Sequence, residues 1–77
     1  MRNYNRYISP MISILRVYTP EGECYREPRD IIRVLTESSE PVELDWADHR
    51  GHVKMATSAD FAGQTVQIEE VPFQIPA

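Results

Sequence analysis

Runs of apolar residues alternate along this chain with short polar stretches that carry proline or glycine, and the spacing inside each run predicts its conformation. Ile12 to Tyr18 (ISILRVY) is dense in β-branched and aromatic residues, the composition of a strand. Its apolar side chains fall on both faces, Ile12 and Ile14 on one, Leu15 and Val17 on the other. That pattern predicts a central strand, or one covered on both sides. Thr19-Pro20-Glu21-Gly22 reads as a tight turn, with proline presetting one backbone angle and glycine accepting a positive one. Glu23 to Arg26 then returns as a short second strand.

Glu27-Pro28 marks a boundary, because the residue before proline avoids helical geometry while proline itself suits a helix's first turn. From Arg29 to Glu37 the spacing of Ile31, Val34 and Leu35 puts three apolar side chains on one helical face. After the break at Ser38 to Pro41, Val42 to Ala47 alternates: Val42, Leu44 and Trp46 point one way, Glu43 and Asp45 the other. Asp48-His49-Arg50-Gly51 makes a turn, and His52 to Thr57 follows as its return strand, with Val53 and Met55 opposite His52 and Lys54. Ser58 to Gly63 predicts a single helical turn with Ser58 as its N-cap. Gln64 to Val71 predicts a last strand with Val66 and Ile68 inward. Pro72 and Pro76 are expected to end regular structure, with Phe73 and Ile75 tucked back onto the core.

Strand, strand, helix, hairpin and strand together imply a small α+β fold: a mainly antiparallel sheet of four to five strands with one short helix. A partly open β-barrel is the alternative. Residues 1–10 read as a flexible lead-in, since Asn3, Asn5, Ser9 and Pro10 discourage regular structure, and residues 11–77 as one domain. At 77 residues the core is small, so a partner subunit is a natural supplement, and a homodimer is one form it takes.

Charge changes this picture by its distribution more than by its total of −4. Residues 1–33 hold six arginines against four acids, whereas residues 34–77 hold Arg50 and Lys54 against eight acids. Direct nucleic-acid binding is disfavoured, because Arg2, Arg6 and Arg16 make only a small basic patch. No apolar run is long enough to cross a bilayer, and a lone cysteine suits a reducing compartment. The expectation is a soluble cytoplasmic protein with no membrane partner.

Candidate chemistry is sparse. His49 and His52 flank a turn beside Asp45 and Asp48, which suggests a metal-dependent protein, but the spacing matches no regular ligand set. Cys24 is expected to be a small buried apolar residue, since Glu23 and Glu27 beside it oppose thiolate formation. Gly22, Gly51 and Gly63 are isolated and form no phosphate loop. No catalytic residue, cofactor or metal is therefore expected.

Two features point to binding. Glu37, Glu40, Glu43, Asp45 and Asp48 place five carboxylates in twelve residues with no basic residue among them. Glu43 and Asp45 share a strand face, where alternate residues lie about 7 Å apart. That spacing approaches the phosphate spacing of a nucleic-acid strand. Arg50 and Lys54, on the adjoining strand, are their expected partners if the face is simply solvated. Tyr4, Tyr7 and Tyr25 stand beside Arg2, Arg6 and Arg26, and tyrosine and arginine are common binding anchors. The leading expectation is a non-enzymatic acidic module that docks on a larger basic partner and modulates or inhibits it. Phage and mobile-element inhibitors of nucleic-acid machinery that mimic DNA are the analogy. A structural subunit of a homo-oligomer or virion-like assembly is the alternative, and the His49/His52 metal protein the third.

Overall fold

The computed structural model describes residues 12–77. Six strands and one helix follow in the order β1 (Ser13–Tyr18), β2 (Cys24–Tyr25), α1 (Pro28–Glu37), β3 (Glu43–Ala47), β4 (Val53–Thr57), β5 (Thr65–Ile68) and β6 (Val71–Gln74). A 3-10 turn at Ser58–Phe61 lies between β4 and β5. The strands form one sheet in the order β4-β3-β1-β5-β6, with β2 paired to β1. The architecture is α+β, as the pattern implies, but the sheet has six strands and is mixed. Strand β1 runs parallel to β5, where Ser13 faces Gln67, and the remaining pairs are antiparallel. The sheet does not close into a barrel: among the described residues β4 and β6 end the strand order.

Helix α1 begins at Pro28, whose missing N–H costs nothing in a first turn, and ends where the Ser38 amide donates to the Val34 carbonyl at 3.1 Å. Its spacing delivers Ile31, Val34 and Leu35 to one buried stripe. That stripe packs on Ile14 and Val17 of β1, Leu44 of β3, and Val66 and Ile68 of β5, with Phe61 and Ile75 closing the cluster. Trp46 and Phe61 meet edge to face, with ring centroids 5.3 Å apart, and the Lys54 ammonium sits 5.4 Å from the Trp46 ring centroid.

Strand β1 is central in the sheet, one of the two readings its apolar pattern offers, but its apolar residues do not divide between two faces. Ile14 pairs with Trp46 and Arg16 with Asp45, so the register shifts and Leu15 is left as the extra residue of a bulge. The added residue turns Ile14 and Val17, three positions apart, onto the same core face. Both are buried. The other face of the sheet carries Arg16, Tyr18, Glu43, Asp45, Val53 and Met55, by strand register.

Three further departures have local causes. The expected last strand stops at Ile68, because Glu69 turns with φ of +55° and the chain folds back as β6. Pro72 does not end regular structure; it sits in β6, an edge strand, where a missing ladder donor is tolerated. The 3-10 turn is capped at Thr57 rather than Ser58: the Thr57 amide donates to the Asp60 carboxylate at 3.0 Å. The C-terminal stretch does tuck back, with Ile75 buried and its amide donating to the Gln64 carbonyl at 2.9 Å.

Candidate functional site

The acidic residues separate into two groups with different work. Asp45 and Asp48 are consumed by the fold. Asp45 lies mid-strand in β3, with only 13% of its side chain exposed. Its Oδ2 is 3.0 Å from Arg16 Nε and accepts the Tyr18 hydroxyl at 2.7 Å. The Arg16 Nε–H is not aligned on the carboxylate, so this contact is an ion pair without a directional hydrogen bond. Donation to Asp45 holds the Tyr18 phenol above its ordinary value, helped by partial burial. The expected partners of this face, Arg50 and Lys54, are not those of Asp45. Arg16 reaches it from β1 on the opposite side of β3, and Lys54 lies on the other face.

Asp48 organises the β3–β4 turn. Its Oδ1 accepts the Arg50 amide at 2.8 Å and the His52 amide at 3.0 Å. Its Oδ2 lies 3.4 Å from His52 Nδ1 and 4.0 Å from Lys54 Nζ. The His52 amide is the main cause of a carboxyl value held below the ordinary one; burial opposes it and the Arg50 amide adds to it. Gly51 completes the turn at φ of +87°, a conformation that a side chain would strain. His49 and His52 are both exposed. Among the described residues no group of three or more His, Cys, Asp or Glu side chains is placed to hold a metal ion.

The second group converges on one end of the molecule. Glu37 is the last residue of α1, Glu40 lies in the loop that follows, and Glu21 sits in the β1–β2 turn. These three exposed carboxylates line a groove of about 540 Å³ together with Tyr25, Arg33 and Val34. Glu43 borders the neighbouring depression formed with Tyr18, Thr19 and Pro41. The end of a helix carries partial negative charge from its unpaired carbonyls, and the last turn of α1 contains no basic residue. Arg33, one turn earlier, is engaged: it pairs with Asp30 at 3.2 Å and lies 5.5 Å from the Tyr25 ring centroid.

Tyr25 is half-buried on β2, and its hydroxyl donates to the Glu23 carboxylate. That bond is the main reason its phenol is held above the ordinary value. Tyr4 and Tyr7, named with it as anchors, lie outside the described residues, as does the 1–10 lead-in. Cys24 is exposed rather than buried, because its position opposite Tyr18 turns it away from α1.

Of the residues marked from sequence, the fold thus brings Glu37, Glu40 and Tyr25 to one groove with Glu43 beside it, and sets Asp45 and Asp48 apart. A ladder of two free carboxylates on β3 does not exist, since Asp45 is bound to Arg16 and Tyr18. Glu21 and Arg33 also line this groove. No local pattern marks them; only the packing of the β1–β2 turn against the end of α1 puts them in the groove.

The fold and this end surface describe an α+β domain with an acidic groove. No protein-family model, curated protein or solved structure matches the chain. No helix among the described residues is long and apolar enough to cross a membrane.

Proposed function

We propose that this protein is a non-enzymatic acidic binding module, and that it docks the groove at the end of α1 onto a basic surface of a larger protein and modulates or inhibits it. One observation carries the reading: Glu21 from the β1–β2 turn meets Glu37 and Glu40 from the end of α1 in one groove, at a helix end that is itself electronegative. Like charges gathered this way repel one another, and a cationic partner relieves that repulsion. Complementary charge also speeds encounter and makes it salt-sensitive. Proteins that bind nucleic acid fit as partners, because lysines and arginines placed for phosphates accept carboxylates equally well.

Nona-arginine serves as the probe for the charge chemistry. Glu37→Lys/Glu40→Lys is expected to weaken its binding tenfold or more, while Glu69→Lys/Glu70→Lys, with the same net-charge change at the β5–β6 turn, leaves it within about twofold. Equal loss in both variants would reduce the effect to net charge and remove the groove from the account.

A second reading, self-association, has its own observation. Val53 and Met55 are 58% and 64% exposed, and both lie on edge strand β4. Unpaired edges with apolar side chains are templates for a further strand. The alternative of a homo-oligomeric structural subunit rests on this row.

A further inference from the structure

We draw no further inference here: the strongest candidate, the cleft of about 220 Å³ between the end of α1 and the C-terminal stretch, walled by Leu35, Ser38, Ser58, Ala59 and Ile75, holds no buried unpartnered polar group among the described residues that would point to a ligand.

Discussion

Arg16 on β1 reaches Asp45 on β3 at 3.0 Å across the sheet face that α1 leaves uncovered, and Tyr18 donates to the same carboxylate oxygen at 2.7 Å. Two strands are thereby tied on the face opposite α1. Asp45→Ala removes both contacts and leaves a half-buried guanidinium without its anion. The expected cost is roughly 1–3 kcal/mol, against no more than about 0.5 kcal/mol for Glu43→Ala two residues away. Urea unfolding followed by circular dichroism compares the two. Equal effects would mean that Asp45 is as dispensable as an ordinary surface acid.

Asp48 gives the turn a pH dependence of definite sign. Its carboxyl value is lower in the folded protein than the ordinary 3.8, chiefly because the ionised form accepts the His52 amide. The stabilisation is therefore complete above the unfolded-chain value and is lost as pH falls through the lower folded value. Wild type is expected to melt above Asp48→Asn at about pH 6, with the gap narrowing as the pH falls below the ordinary carboxyl value. Thermal melts across that range check it, and a constant gap at every pH would contradict it.

The bulge at Leu15 predicts unequal weights for neighbouring apolar residues. Val17 is fully buried beneath α1, whereas Leu15 is the half-buried extra residue. Val17→Ala is expected to cost about 1.5–3 kcal/mol and Leu15→Ala distinctly less. In a domain whose whole stability is on the order of 5–15 kcal/mol, the difference is readily measured. If Leu15→Ala proved the costlier, β1 would be packed on both sides after all.

Self-association through β4 is tested by sedimentation at micromolar and higher concentrations. If the edge pairs with a second copy, the wild type sediments above its 8.9 kDa monomer mass and Met55→Lys returns it to monomer. A wild type that stays monomeric throughout removes the homo-oligomer reading.

Cys24 is exposed, so a thiol reagent such as Ellman's is expected to titrate one thiol per native chain without denaturant. Reaction only after unfolding would place the side chain inside the protein.

Much of this architecture was legible along the chain because the informative contacts are local or periodic. Ile31, Val34 and Leu35 mark α1 by their spacing alone, and Glu43, Leu44 and Asp45 mark β3 by strict alternation. What was hidden depends on neighbours distant in sequence. The two-faced reading of β1 failed because a bulge breaks the period of two between Ile14 and Arg16, and no residue type announces a bulge. Pro72 suggested an ending because proline is excluded from central strands, and only the sheet order shows that β6 is an edge. The acidic run was visible, but its division was not: Asp45 is neutralised by an arginine 29 positions earlier, across a strand pair. The exposure of Cys24 is hidden for a similar reason, since a two-residue strand gives no alternation from which to read a face.

Mapping the amide resonances of the isotopically labelled protein during titration with nona-arginine addresses the docking site most directly. The proposal predicts shifts concentrated at Glu21, Tyr25 and residues 37–43, collapsing as salt is raised from about 50 to 500 mM as exposed charges become screened. Shifts spread evenly over every acidic patch, or centred on Glu69 and Glu70, would contradict it.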